Sequence, residues 1–374
     1  MVKLADGSEK GLKGHFKEDF SHRVREGLAP RSGHVDRDVP YKRIATEEAW
    51  TFPALVKAQL DYFDSGEAPD DDSLRMGAMF ANMPSLQEML QDLGELRIAH
   101  MDELGIDRQL LLLTAPGVQV VRPDEGTALA RQANDLAAAA CAKYPTRFSA
   151  LAAFDPRDVA GSVKELERAA KLGLNGAVLN SHFQGRYLDE PEFVPILEAL
   201  EANDLALYIH PTAPFNAPHY ESRGFFGALG GFPHDVWLHT MGLIFSGAFD
   251  RFPKLRLVIG HLGECMPLHL YRFDWMQGNA DNRARPGQEP VKLQKTVSHY
   301  FHNNIWITTS GVGWEPGIKF CQQVLGPDRV LYAMDYPYQQ SADELAAYDR
   351  MDMTPEVKKM LMEDNARSVF RIRG

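Results

Sequence analysis

The chain has 374 residues, of which 44% are hydrophobic and 24% charged, enough apolar material for one large domain with a buried core. Its formal net charge of −11 argues against a nucleic-acid partner, because phosphate binding requires clustered Lys and Arg. Three scattered cysteines, Cys141, Cys265 and Cys321, predict a reducing, cytoplasmic location, and we expect no membrane-spanning segment.

The first 40 residues are charged and contain no sustained apolar period. This composition predicts an N-terminal arm over residues 1–40 that is disordered or packs on a neighbouring subunit. Residues 41–374 are predicted to form a single domain.

From residue 43 onward, short apolar runs typical of strands alternate with stretches of helical period such as 131–144, 162–173 and 194–204. Strands that are apolar on both faces and are followed by helices predict a parallel sheet, and eight of them close a (β/α)8 TIM barrel. A doubly wound open sheet is the alternative, although no glycine-rich phosphate loop follows the first run. The eight runs are RIAT 43–46, QLLLLT 109–114, FSALAAF 148–154, GAVLN 176–180, LALYIH 205–210, LRLVIGH 255–261, NIWITTS 304–310 and RVLYAMD 329–335.

Two long inserts interrupt this alternation, at 50–95 after the first run and at 211–250 after the fifth. Both are rich in Gly, Pro and aromatic residues, which predicts loops that cover an active site. The C-terminal sequence LMEDNARSVF predicts a closing helix.

Polar residues end several of the eight runs. Glu47 follows the first run, and Asn180, His210, His261 and Asp335 end the fourth, fifth, sixth and eighth. Because active sites of parallel barrels form at the carboxyl ends of the strands, these side chains are expected to converge. Two carboxylates and an imidazole would suit one divalent ion, either Zn2+ or Mn2+. Each residue alone is equally compatible with a structural role, such as a helix cap.

His261 lies in the sequence GHLGEC, three residues before Glu264. This spacing allows the carboxylate to orient the imidazole and to raise its basicity. His261 is therefore either a fourth ligand or a proton-handling group. Tyr338, in AMDYPYQ, either contacts the substrate or packs the loop.

Several segments together resemble the amidohydrolase-related decarboxylase family, and the resemblance covers nearly all of the chain from Arg43 onward. The first-strand TEEA and the DYPYQ ending look most like the 5-carboxyvanillate decarboxylases. The segments are IATEEAW 44–50, LRIAHMDELGID 96–107, LNSHFQGRYLDEPEF 179–193, YIHP 208–211, FDRFPKLRLVIGHLGE 249–264 and YAMDYPYQ 332–339.

The resemblance implies roles for individual residues. Glu47, His210 and Asp335 match the family's metal ligands, and His261 with Glu264 matches its active-site pair. The family also implies a TIM barrel, one Mn2+ ion with Zn2+ as the alternative, and a small aromatic carboxylate as substrate.

Two arginines are further candidates for substrate binding. Arg272 matches a family arginine that an adjacent subunit contributes, so a homodimer or homotetramer is expected. Arg75 is a candidate carboxylate-binding residue, with an exposed helix position as the alternative, and Asn180 is a third candidate.

The chain departs from the family pattern at one position. Ala49 stands where many family members carry a histidine ligand.

The expected reaction is non-oxidative loss of CO2 from a hydroxylated or methoxylated aromatic acid. Because a bare aryl carbanion is too unstable, Asp335 is expected to protonate the ring before the carboxylate leaves. Two other hypotheses remain open at this point. One is a mononuclear metal-dependent hydrolase of a lactone or ring-cleavage product, and the other is a non-catalytic scaffold.

Overall fold

The computed structural model describes residues 35–68, 72–225, 227–280 and 292–373. The first 34 residues of the predicted arm lie outside the described residues. Residues 35–40 lie against the body of the domain, where Val35 is buried and the backbone N–H of Asp36 donates to Asp349 at 2.8 Å. No helix in the described part of the chain is long and apolar enough to cross a membrane.

The strands of the described residues pair in parallel and in sequence order. The predicted third run divides at Leu151 into two short strands, and the amide of Leu151 donates to Leu111 across this break at 2.8 Å. The amide of Thr46 donates to the carbonyl of Tyr332 at 3.1 Å, which joins the first strand to the end of the last. The predicted barrel is therefore confirmed. The strands are β1 (Ile44–Trp50), β2 (Arg108–Leu113), β3 (Phe148–Ala150), β4 (Ala152–Ala153), β5 (Gly176–Asn180), β6 (Ala206–His210), β7 (Leu257–Ile259), β8 (Ile305–Thr308) and β9 (Val330–Leu331).

Helices connect successive strands and cover the outside of the barrel. The predicted closing helix is present and follows a π-helical turn, Met360–Asp364. The helices are α1 (Pro53–Ser65), α2 (Asp72–Ala81), α3 (Pro84–Gln91), α4 (Glu95–Leu104), α5 (Gly126–Lys143), α6 (Val159–Lys171), α7 (Val194–Ala202), α8 (Ala217–Glu221), α9 (Gly231–Phe245), α10 (Ala248–Arg251), α11 (His261–Glu264), α12 (Met266–Ala280), α13 (Val297–Asn303), α14 (Glu315–Leu325), α15 (Ala342–Arg350), α16 (Pro355–Lys359) and α17 (Asn365–Phe370).

Sequence pattern explains why these segments are helical. In α6, Leu166 and Ala169 lie on the buried face, and the Asp158 carboxylate caps the first turn by accepting from the Gly161 amide at 2.8 Å. The strands are almost entirely buried because the barrel interior covers one face and the helices cover the other.

The two inserts are largely helical, although their Gly and Pro content suggested loops. The first contains α1, α2, α3 and the start of α4, and the second contains α8, α9 and α10. Pro53, Pro84 and Pro218 each occupy the first turn of a helix. The missing N–H of proline costs nothing there, because the first amides of a helix have no intrahelical partner.

Candidate metal centre

Three of the predicted residues form a cluster in which Glu47 and His210 are buried and Asp335 is half-buried. Ligand atoms of Glu47, His210 and Asp335 all lie within 4.8 Å of one another. They come from β1, the end of β6 and the segment after β9, which are far apart in sequence. The barrel therefore brings the predicted ligands together.

Hydroxyl groups orient the Glu47 carboxylate. Its Oε2 accepts hydrogen bonds from Tyr208, Ser310 and Thr308, the last at 2.9 Å. Its Oε1 has no hydrogen-bond partner among the described residues and lies 3.4 Å from Nε2 of His210. One oxygen is thus held by the protein while the other faces the cluster, as a metal ligand requires.

The ring orientation of His210 also suits a ligand. Its Nδ1 lies 2.7 Å from the carbonyl oxygen of Pro211, which can only accept, so Nδ1 carries the proton. Burial lowers the pKa of His210, although the Glu47 charge opposes this shift. A neutral imidazole with a free lone pair on Nε2 therefore faces Glu47.

Asp335 completes the cluster from a turn in which its φ angle is +70°, in the left-handed region. Its Oδ1 is buried and lacks a hydrogen-bond partner among the described residues. Burial, together with the negative charge of Glu47, raises the pKa of Asp335 well above its usual range, while His261 opposes the shift. Two orphaned carboxylate oxygens and a neutral imidazole nitrogen fit one divalent cation such as Mn2+ or Zn2+.

His261 and Glu264 lie in the short segment α11 after β7, whose backbone forms a left-handed turn and not a regular helix. Every residue from 261 to 265 has a positive φ angle, and only Gly263 is a glycine. Each of the other four costs about 1–2 kcal/mol in this conformation. The turn places the Glu264 carboxylate 2.7 Å from Nδ1 of His261. The predicted pair therefore forms, within a strained segment typical of functional sites.

The charges around His261 favour its protonated form. Burial alone would lower its pKa, but the carboxylates of Glu264 and Glu47 outweigh burial and raise it to about 10. Its Nε2 lies 3.6 Å from Oε1 of Glu47. Gly260 allows this approach, because a Cβ atom there would lie 2.8 Å from the Glu47 carboxylate.

Two further predicted residues are Tyr338, in the segment after β9, and Asn180, at the end of β5. The Tyr338 hydroxyl is 2.6 Å from the hydroxyl of Thr114, and its ring packs against Phe80 of the first insert. Asn180 pairs in register with His210 and donates to Oε1 of Gln119 at 2.8 Å. The side-chain oxygen of Asn180 has no partner among the described residues.

The two predicted arginines lie on helix surfaces, unlike the residues of the cluster. Arg75 is exposed on α2 and forms an ion pair with Asp72. Arg272 is exposed on α12.

Sequence reasoning missed several polar residues that support the site. Thr114, Thr308 and Ser310 stand within or next to the ends of predicted runs, so the rule that identified Glu47 would have identified them too. Tyr208 lies inside an apolar run. Its hydrogen bond to Glu47 depends on how β6 and β1 face each other across the barrel, and no local sequence pattern predicts this contact.

Comparison with known proteins assigns this chain to a family. An amidohydrolase family model matches residues 84–372, which is most of the chain. The chain belongs to the amidohydrolase family. Among curated members, the γ-resorcylate decarboxylase of Polaromonas sp. is 31% identical over 300 residues, covering 77% of this chain and 90% of that protein. The γ-resorcylate decarboxylase of Rhodococcus jostii is 32% identical over 302 residues, with the same coverage.

Two solved structures of decarboxylases resemble this chain over most of its length. The 5-carboxyvanillate decarboxylase of Novosphingobium aromaticivorans, with manganese and 3-methoxy-4-hydroxy-5-nitrobenzoic acid bound, is 42% identical with a TM-score of 0.85. The match covers 91% of this chain and all of that chain. The 5-carboxyvanillate decarboxylase of Sphingomonas paucimobilis is 40% identical with a TM-score of 0.84, covering 89% of this chain and 99% of that one.

Replacing His210 by Ala should remove one ligand and abolish stable metal binding. We expect one Mn2+ per wild-type chain and less than about a tenth of that in the variant after desalting, by elemental analysis, because only two protein ligands would remain and an ion held by so few ligands dissociates readily. His219→Ala, at an exposed position, is the matched control and should retain the metal. Equal metal content in the His210 and His219 variants would contradict the proposed ligand set.

Proposed function

We propose that this protein is a metal-dependent carboxy-lyase that removes CO2, without oxidation, from a hydroxylated or methoxylated aromatic acid. The preferred substrate is 5-carboxyvanillate, which gives vanillate and CO2, with γ-resorcylate and 2,3-dihydroxybenzoate as related candidates. The observation that carries the proposal is the Glu47–His210–Asp335 cluster beside the His261–Glu264 pair. Similarity to decarboxylases that bind manganese supports it and favours Mn2+ over Zn2+.

The proposed site must hold an anion in a protein whose net charge is −11. Glu47, His210 and Asp335 would hold the ion, which when bound stabilises negative charge on substrate oxygens and orients the acid. His261 adds a second local positive charge, because Glu264 occupies its Nδ1 and leaves Nε2–H to donate into the mouth of the barrel. The substrate is thus recognised by local charge.

Asp335 is proposed as the general acid. Its raised pKa, caused by burial and by the charge of Glu47, favours the protonated form that an acid requires. The Asp335 O–H bond breaks as a C–H bond forms at the ring carbon that carries the carboxylate. The C–C bond to the carboxylate then breaks, its electron pair returns to the ring, and CO2 leaves as aromaticity is restored.

Tyr338, Asn180 and Arg75 are proposed as substrate contacts. Tyr338 has the strongest support, because its hydroxyl lies 2.6 Å from that of Thr114, which directly follows β2. The side-chain oxygen of Asn180 faces no partner among the described residues, so it has capacity to accept a substrate hydroxyl. Arg75 would have to leave its ion pair with Asp72 to bind the substrate.

A cytoplasmic location remains part of the proposal.

A hydrolase is the second candidate function, since it shares the fold and its ion would activate water. The raised pKa of Asp335 favours an acid at this position over a general base. The strand-end asparagine Asn180 stands where dinuclear relatives are expected to carry a carboxylated lysine. Asn180 therefore argues against a dinuclear hydrolase, while the direction of the Asp335 pKa shift and the similarity to decarboxylases favour the carboxy-lyase over a mononuclear hydrolase.

The proposal is tested by incubating the Mn2+-loaded protein with 5-carboxyvanillate, γ-resorcylate and 2,3-dihydroxybenzoate, and following the phenolic product and CO2. We expect turnover of at least one acid, with kcat of Asp335→Asn lower by about 1,000-fold or more, because the amide cannot deliver the proton. Elemental analysis of the variant must show retained metal. Absence of turnover with all three acids by fully loaded wild-type protein would favour the hydrolase.

The surface around Arg272 supports a homodimer or homotetramer. Leu268, Tyr271 and Trp275 on α12 are 68%, 85% and 63% exposed. With Arg272 they follow helical spacing and form one stripe on the helix surface. Exposed large apolar side chains in such a stripe typically mark a subunit interface, in which Arg272 would reach the neighbouring site.

Replacing Tyr271 by Asp should dissociate the assembly by burying a charge in the interface. Light scattering should then give the 41.9 kDa mass of one chain, with loss of activity. Arg272→Ala should retain the native mass but raise KM about tenfold or more, through loss of a charge-assisted hydrogen bond. Arg131→Ala, at an exposed position on α5, is the control. A fully active wild-type monomer would contradict the role of Arg272.

A further inference from the structure

The segment 96–107, one of the sequence marks of the family, has no part in the site described so far. Its Arg97 is completely buried, which is unusual for an arginine. The guanidinium donates to the carbonyl oxygens of Ala49 at 2.8 Å, Met89 at 3.1 Å and Asp92 at 2.8 Å. It also donates to Oε1 of Gln109 at 3.3 Å.

Gln109 contacts both Arg97 and Glu48. Its amide nitrogen donates to Oε2 of Glu48 at 3.1 Å, so the order of contacts is Arg97, Gln109, Glu48. The other oxygen of Glu48, Oε1, accepts from the backbone N–H of Met334 at 3.1 Å. The Glu48 carboxylate therefore joins Gln109 to the amide of Met334, the residue directly before Asp335.

A β-bulge makes this arrangement compatible with the metal centre. Ala45 pairs with Gln109 but Glu48 pairs with Leu111, so β1 has one residue more than β2 in this interval. A bulge redirects side chains locally. The neighbouring Glu47 and Glu48 can consequently serve the metal cluster and the turn after β9, respectively.

Arg97 also contacts the turn directly. Its guanidinium carbon lies 4.6 Å from the ring centre of Tyr336, and the Tyr336 hydroxyl is 2.9 Å from Nδ1 of His100 in the same segment. The amide of Ala49 donates to the Tyr336 carbonyl at 2.7 Å. Side-chain and backbone bonds thus fix the residue that follows Asp335.

We propose that Glu48, Gln109 and Arg97 form a clamp that holds the turn carrying Asp335, and that they are positioning residues for its metal ligation and proton transfer. The proton-transfer part rests on the proposed function. The clamp has a physical reason, because Asp335 has a left-handed backbone, which is unfavourable for a residue other than glycine and persists only when surrounding contacts determine it.

The clamp depends on a strict order of donors and acceptors, which Glu48→Gln disrupts. The new amide nitrogen must face either Gln109 or the Met334 amide, both of which are donors. Rotating the Gln109 amide only moves the conflict to Arg97, another donor. The double variant Glu48→Gln/Gln109→Glu restores the order, because the carboxylate introduced at position 109 can accept from both Arg97 and the amide introduced at position 48.

The experiment measures the Mn2+ dissociation constant by calorimetry and, at saturating Mn2+, kcat and KM with the acid that wild type turns over. Glu48→Gln should raise the dissociation constant and lower kcat by about 10–100-fold each, as loss of a ligand-supporting contact does. KM should change less than about threefold, since no substrate contact is removed. The double variant should recover most of both losses.

Glu165→Gln is the matched control, because Glu165 is a buried glutamate that accepts from a buried amide, Asn134, at 2.7 Å between α5 and α6. It should lower the melting temperature but leave the dissociation constant and kcat unchanged. Arg97→Lys keeps the charge but cannot make all of the guanidinium's hydrogen bonds, so it should raise the dissociation constant and lower kcat as Glu48→Gln does. It replaces Glu48→Gln in the experiment if that variant does not fold.

Wild-type values in Glu48→Gln, failure of the double variant to recover, or equal losses in Glu165→Gln would each overturn the clamp. The Mn2+ dissociation constants decide the clamp even if wild type decarboxylates none of the acids tested. That outcome would remove the proposed function, and with it the proton-transfer part, while the role of the clamp in metal ligation would still be measured.

Discussion

The structure depends on placing two carboxylates, the buried Glu47 and the half-buried Asp335, close together at one end of the barrel. Burying like charges together is costly unless hydrogen bonds, a counter-charge, a cation or protonation compensates. Glu47 is compensated by three hydroxyls on one oxygen and by His261 near the other. Asp335 has no comparable set of donors, which is why its pKa rises.

This asymmetry separates the chemical roles of the two carboxylates. Glu47 remains ionised, because the charge of His261 and the hydroxyl donors outweigh the effect of burial and lower its pKa. Asp335 can both ligate and hold a proton. The proposed reaction requires one group of each kind, and environments that push two pKa values apart are typical of acid–base catalysis. The strained turns at 261–265 and at Asp335 are the local cost of this arrangement.

The fold and the cluster of the candidate metal centre could be predicted from sequence because both follow from local patterns. Apolar runs and their spacing predicted the eight barrel strands, and the residues ending those runs predicted Glu47, His210 and Asp335. Sequence did not predict the helices in the two inserts, because proline signals a loop and a first helical turn equally well. It also did not predict the contacts of Tyr208 with Glu47 or of Glu48 with Met334, since these join residues more than 150 positions apart.

The most direct test of the central claim is ring-hydrogen exchange in the proposed product, vanillate, incubated in D2O with the Mn2+-loaded protein and followed by NMR. If Asp335 protonates the ring carbon, wild type should exchange the hydrogen at the position from which CO2 departs. Asp335→Asn with its metal retained should exchange it at less than about 1% of that rate, because the acid is gone. Exchange by Asp335→Asn at the wild-type rate would contradict Asp335 as the acid.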